Sequence, residues 1–128
     1  MAERKLVSVV DDDESVRESL PDLLRSYGFD VQAFASAEAF LAWPDHANTD
    51  CLLLDVAMPD MTGPQLLQEL QRRGEAVPTV FITAHSDDKA LPKAIRRGAV
   101  ACLIKPFTET SIVEAVTAAL GSASNRGA

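Results

Sequence analysis

Leu6-Val7-Ser8-Val9-Val10-Asp11-Asp12-Asp13 is an apolar run that stops abruptly in three carboxylates. Near-continuous hydrophobicity, rather than strict alternation, marks a strand covered on both faces, as in a parallel sheet with crossover helices on either side. Cys51 to Leu54, Val77 to Ile82 and Val100 to Ile104 have the same character, and the weaker run Phe29 to Phe34 fits an edge strand. Helical spacing fills the intervals: Val16, Leu20, Leu23 and Leu24; then Leu66, Leu67 and Leu70; finally Ile112, Val113, Val116 and Leu120. Strand and helix alternate, which predicts an α/β fold, a doubly wound sheet of five parallel strands.

The punctuation agrees with that reading. Gly28, Gly74, Gly98 and Gly121 follow helical segments, where a left-handed residue is cheap for glycine. Ser36, Ser86 and Thr108 fall at N-cap positions, and Pro64 falls in a first turn where its missing N–H does no harm. Two prolines break the rule. Pro21 inside the first helix predicts a kink or an interruption, since an interior proline costs about 3 kcal/mol. Pro92 inside the fourth predicts a helix that starts late, near Leu91, with Ser86 to Ala90 irregular.

With 128 residues, 47% of them apolar and 24% charged, the chain fits one globular domain. Residues 1–121 form the predicted domain, and the small, polar stretch 122–128 is expected to fray as a flexible tail. A net charge of -7 argues against direct nucleic-acid contact, which needs clustered Lys and Arg. No run reaches the roughly 20 apolar residues of a membrane span, and Met1 to Lys5 is too polar and short to open a signal peptide. Cys51 and Cys102 both sit in apolar runs and read as reduced core thiols, so the expected location is the cytoplasm.

Ligands of open parallel sheets bind beyond the carboxyl ends of the strands. Four runs deliver polar groups there: Asp11-Asp12-Asp13, Asp55, Thr83 and Lys105. Asp11, Asp12 and Asp55 against Lys105 leave an excess of negative charge that raises carboxylate pKa values unless a cation intervenes. Oxygen ligands without Cys or His favour Mg²⁺. A carboxylate beside Mg²⁺ can attack a phosphoryl group while a lysine neutralises its oxygens and a hydroxyl donates to it. Asp55 as nucleophile, Lys105 as counter-charge and Thr83 as donor fill those roles. Any one of these residues is commonplace by itself, since aspartates at strand ends often only cap the next helix. Their agreement at matched strand ends is what carries the reading.

Over about residues 5 to 120 the chain resembles the receiver domain of bacterial two-component response regulators. The matching motifs are Val9-Val10-Asp11-Asp12, Leu54-Asp55, Met58-Pro59-Asp60-Met61-Thr62-Gly63, Ile82-Thr83-Ala84 and Lys105-Pro106-Phe107. Ser36-Ala37-Glu38-Ala39-Phe40-Leu41 and Thr83-Ala84-His85 look most like receivers of the FixJ type. The resemblance implies a flavodoxin-like, CheY-like strand order 2-1-3-4-5 and a phosphohistidine donor on a sensor histidine kinase. It implies Mg²⁺ on Asp12, Asp55 and the backbone carbonyl of Ala57, with Asp11 acting through water and Asp13 only starting a helix. It also implies a cis bond between Lys105 and Pro106. Such a protein is a phospho-acceptor that catalyses its own phosphorylation and dephosphorylation, not an enzyme on a separate substrate. Its signal passes to a downstream protein or a covalent output domain, and the family leaves room for a phosphorylation-dependent dimer. FixJ-like receivers often precede a DNA-binding domain; the residues fit a free-standing regulator or a segment of a longer protein equally.

Two departures bear on output. The position three before the lysine is usually an aromatic ring in the family and is Cys102 here, so the usual ring switch cannot operate at that position. Cys102 reads as a small core residue rather than a redox-sensitive thiol, because nothing basic flanks it. Together with Pro92 it lies on the face that carries output in the family, which predicts an unusual route or partner for the signal. Ala57 and His85 flank the phosphate position and should influence attack by water. The rival readings are a phosphorylation-independent pseudo-receiver or adaptor, an aspartyl-nucleophile phosphatase and a flavin-binding flavodoxin. The phosphatase needs a second acid where Ala57 stands, and three aspartates would repel a flavin phosphate.

Overall fold

The computed structural model describes residues 4–84 and 99–126. Strands β1 (Leu6–Val10), β2 (Asp30–Phe34), β3 (Cys51–Asp55), β4 (Thr79–Thr83) and β5 (Ala101–Ile104) form one sheet in the order β2-β1-β3-β4-β5. Every neighbouring pair is parallel, with Val10 beside both Phe34 and Leu54, and Asp55 beside Ile82. Helices α1 (Glu14–Ser26), α2 (Ala37–Ala42) and α3 (Gly63–Arg72) connect the strands, and a C-terminal helix spans Glu109–Arg126.

Alternation within each strand fills two cores. Val7, Val9, Cys51, Leu53, Val80 and Ile82 meet Leu20 and Leu24 of α1 and Ile112 and Val116 of the C-terminal helix. Val10, Leu52, Leu54 and Phe81 meet Phe40 of α2 and Leu66, Leu67 and Leu70 of α3. β3, in the middle, is buried at all five positions. Fully burying one such leucine is worth about 1.5–3 kcal/mol, so the sheet is the rigid frame from which the strand ends project.

The helix ends follow their local chemistry. Asp13 caps α1 by accepting from Ser15 N, Ser36 caps α2, and Thr62 and Gln65 close a capping box on α3 with Pro64 in its first turn. Thr108 Oγ1 accepts from Ser111 N at the start of the C-terminal helix. Gly28 and Gly74 leave α1 and α3 with φ of 94° and 72°.

Two expectations are corrected. Of the kink or interruption expected at Pro21, the interruption does not occur: α1 runs through it from Glu14 to Ser26. Pro21 has no N–H to give the Arg17 carbonyl; Pro21, Leu20 and Leu24 are all buried, and that packing carries the helix past the missing bond. The C-terminal helix likewise does not stop at Gly121 but continues to Arg126, with Gly121 exposed and without a positive φ. The buried Ile112, Val116 and Ala119 keep it in phase, and a helical glycine costs only about 1 kcal/mol. The readings placed on Ser86, Pro92 and Gly98 lie outside the described residues, as does that on His85.

Candidate phosphoryl-acceptor site

The carboxyl edge of the sheet collects the residues singled out by sequence. Asp55 and Thr83 are the last residues of β3 and β4, while Asp11 and Lys105 follow the ends of β1 and β5. Asp11, Asp12 and Asp55 each place a carboxylate oxygen within 4.8 Å of the others. Asp11 is fully buried, Asp55 nearly so at 5% exposure, and Asp12 is exposed.

Asp11 is held from several directions. Its amide donates to Phe34 O at 3.1 Å, and its carbonyl accepts from Arg17 Nη1 at 2.9 Å. Its Oδ1 accepts from Asp13 N at 2.9 Å and from Lys105 Nζ at 3.3 Å. Oδ2 lies 3.0 Å from the same ammonium but off any hydrogen-bond direction, so among the described residues it is a buried oxygen with charge attraction and no hydrogen-bond partner. An oxygen in that condition has a lone pair to offer, which suits a hydrated hard cation.

Asp55 Oδ1 accepts from Ala57 N at 3.2 Å. Burial, the Asp11 charge and the carboxyl contact with Asp12 push the Asp55 carboxyl up to about 7, against the opposing pull of Lys105 and the Ala57 amide. For Lys105, burial alone would lower the ammonium, but its bond to Asp11 and the charges of Asp11, Asp55 and Asp13 hold it above its ordinary value. Asp11, Asp12, Asp55 and Lys105 therefore form one frustrated cluster, with more negative charge than Lys105, the one lysine there among the described residues, neutralises. All-oxygen donors, an orphaned buried Oδ2 and an acid forced toward its protonated form fit a hard divalent cation such as Mg²⁺.

Thr83 is buried at the end of β4, and its carbonyl accepts from Lys105 N at 2.8 Å, which couples the two strand ends. The Lys105–Pro106 peptide is cis. Asp13 does more than start α1: besides capping it, its carboxylate stands 3.7 Å from Lys105 Nζ. The Ser15 hydroxyl and amide hold Asp13 below the usual carboxylate range. Cys102 is half-buried in β5 against the second core, and burial pushes its thiol up, opposite to what a redox-sensitive cysteine requires.

Two contributors escaped the sequence reading of the site. Gly63 begins α3 so close to β3 that a Cβ there would occupy the space of the Asp55 carbonyl oxygen. It had appeared only as part of a motif; the Thr62-x-x-Gln65 capping pattern beside it was the available signal. Arg17 reaches back from α1 to the Asp11 carbonyl, and only its sign, basic near a helix start, could have drawn notice.

Comparison with known proteins agrees with this geometry. Residues 7–117 match the model of the response regulator receiver domain. The response regulator TodT of Pseudomonas putida is 41% identical over 115 residues, covering 90% of this chain and 51% of TodT. The transcriptional regulatory protein FixJ of Azorhizobium caulinodans is 40% identical over 127 residues, covering 99% of this chain and 60% of FixJ. The crystal structure of FixJ-N superposes with a TM-score of 0.84 at 41% identity, over 94% of this chain and 96% of that one. The chain thus spans about half to three-fifths of the length of these curated relatives. Among the described residues no helix is long and apolar enough to cross a membrane. On its motifs, its strand order and this similarity, the chain belongs to the response regulator receiver domains of two-component systems.

Proposed function

We propose that Asp55 accepts a phosphoryl group from the phosphohistidine of a sensor histidine kinase. The observation that carries this is the convergence of Asp11, Asp12 and Asp55 around a buried, hydrogen-bond-free oxygen, with Lys105 3.0 Å away. An Asp55 carboxylate oxygen forms the new bond to phosphorus as the phosphorus–nitrogen bond of the donor breaks, and the histidine nitrogen departs with the electron pair. The Ala57 amide holds Oδ1 and so fixes how the carboxylate is presented. Lys105 shifts its charge from Asp11 toward a phosphoryl oxygen, and the Thr83 hydroxyl donates to another. Held by Asp12, Asp55 and the carbonyl of Ala57, with Asp11 acting through water, Mg²⁺ would supply the remaining neutralisation of the transferring group.

The same groups support dephosphorylation by water, so the domain serves its own phosphorylation cycle and turns over no separate substrate. Residues 1–121 act as the phospho-acceptor unit and 122–128 as its tail. The signal passes to a downstream protein or an attached output domain in the cytoplasm, with dimerisation on phosphorylation as one route and no direct nucleic-acid contact by this acidic segment. Cys102 and Pro92 make the output face unusual. The test is intact-protein mass spectrometry after incubation with Mg²⁺ and acetyl phosphate. Wild type should gain one phosphoryl group and Asp55→Asn none; if neither gains one although Mg²⁺ binds, a phosphorylation-independent adaptor becomes the better reading.

A further inference from the structure

Arg17 is the fourth residue of α1, one turn from the helix start. A cation there faces the positive end of the helix dipole and opposes it, so the dipole gives no reason for it. Its contact supplies one. Side chains on a helix lean back toward the N-terminus, and the Arg17 guanidinium does so far enough for Nη1 to donate to the Asp11 carbonyl at 2.9 Å. That carbonyl belongs to the peptide joining Asp11 to Asp12, so fixing it fixes the direction from which both acids leave the main chain. The other restraints on Asp11 differ in kind: Lys105 and the Asp13 amide hold its side chain, and Phe34 O holds its amide.

We propose that Arg17 is a positioning residue for the metal-binding acids, acting through the Asp11–Asp12 peptide and independently of Lys105. The inference rests on the phospho-acceptor reading above and extends it. Lys105 must leave Asp11 when it turns to a phosphoryl oxygen, and Asp11 then loses its side-chain cation. Arg17 is bound to the main chain and keeps its bond, so the acids stay in register for Mg²⁺ in both states. Arg25 is the natural comparison, since on the same helix it donates Nη2 to the Val31 carbonyl at 2.9 Å, on the edge strand.

The test titrates the full chain with Mg²⁺ alone in a calorimeter, using wild type, Arg17→Ala, Arg17→Lys and Arg25→Ala. The same variants are then assayed for acetyl phosphate reactivity across Mg²⁺ concentrations. Arg17→Ala should weaken Mg²⁺ about ten-fold, the lower range for loss of a group that orients metal ligands. Its rate at saturating Mg²⁺ should stay within about two-fold of wild type, since the lost orientation is restored once the metal is bound. Arg17→Lys, which keeps a cationic donor, should recover part of the affinity, and Arg25→Ala should leave it unchanged. An Arg17→Ala protein that binds Mg²⁺ like wild type, whether or not its unfolding midpoint falls, overturns the proposal. So does an equal loss in Arg25→Ala, which would mark a general effect of loosening α1. If wild type binds Mg²⁺ yet takes no phosphoryl group, the phospho-acceptor reading fails while calorimetry still decides on Arg17. If wild type binds no Mg²⁺, both fall.

Discussion

Lys105 Nζ stands 3.0 Å from Asp11 Oδ2, joining two residues 94 positions apart at the carboxyl ends of β5 and β1. The pair is mostly withdrawn from water, with the lysine side chain 18% exposed and that of Asp11 fully buried. Removing one member of such a pair costs more than the pair contributes, because the survivor stays buried without a counter-charge. Lys105→Met should therefore lower stability in the absence of Mg²⁺ by about 1–3 kcal/mol, the residual exposure keeping it under the full penalty of a buried pair. Urea unfolding monitored by circular dichroism measures this, and added Mg²⁺ should restore much of the loss. An unchanged midpoint would show that Asp11 is hydrated.

Asp55 sets the opposite sign. Its carboxyl stands at about 7 in the fold against an ordinary 3.8, so the folded state holds a proton that the unfolded chain has released between those values. Stability should therefore decline as pH rises from about 4 to about 7 and level off above that. Asp55→Asn should flatten this decline and stabilise the metal-free protein at neutral pH. The full shift corresponds to roughly 4 kcal/mol, and water reaching the cluster beside the exposed Asp12 reduces the expected gain to about 1–2 kcal/mol. Unfolding midpoints of both proteins across pH 4–8, in chelator, decide the matter; a less stable Asp55→Asn would contradict it.

Gly63→Ala places a methyl group against the Asp55 carbonyl and the Phe81 ring. The start of α3 must move away from β3, at a cost of about 1–3 kcal/mol as for other overpacked sites. Because the displaced loop carries Ala57 and starts at Asp55, the last residue of β3, the variant should also need more Mg²⁺ for phosphorylation. Gly28→Ala, strained at φ 94° but with open space around its Cβ, should lose about 1 kcal/mol and keep its Mg²⁺ response. Equal Mg²⁺ responses in the two variants would separate Gly63 from the site.

Cys102 should behave as a packing residue. With its thiol pushed up by burial, its alkylation by iodoacetamide at neutral pH should be several-fold slower than that of free cysteine. Cys51, buried and pushed up to about 12, should react only on unfolding. Rapid modification of Cys102 in the native protein would return the redox reading to consideration.

The sheet was legible because its central strands β3 and β4 lie between two cores and are buried at every position, whereas the edge strand β2, largely exposed, left only a weak run. The acids and Lys105 were legible because parallel strands deliver their carboxyl ends to one edge. Pro21 misled because local propensity argues from one missing hydrogen bond, whereas the buried Leu20 and Leu24 decide from packing. Gly121 misled because a glycine within a helix costs only about 1 kcal/mol and does not by itself end one, the helix continuing past it to Arg126. Gly63 and Arg17 were harder to read: a capping pattern and a basic residue near a helix start only hint at them, since each acts on a backbone carbonyl it meets only after folding.

The central claim is that Asp55, and neither of its two acidic neighbours, takes the phosphoryl group. Borohydride converts an aspartyl phosphate to homoserine, so peptide mapping after reaction with Mg²⁺ and acetyl phosphate identifies the acceptor directly. Homoserine at position 55, absent when Mg²⁺ is chelated, is the expected result. Homoserine at position 11 or 12, or at none of the three in a protein that binds Mg²⁺, would contradict the account.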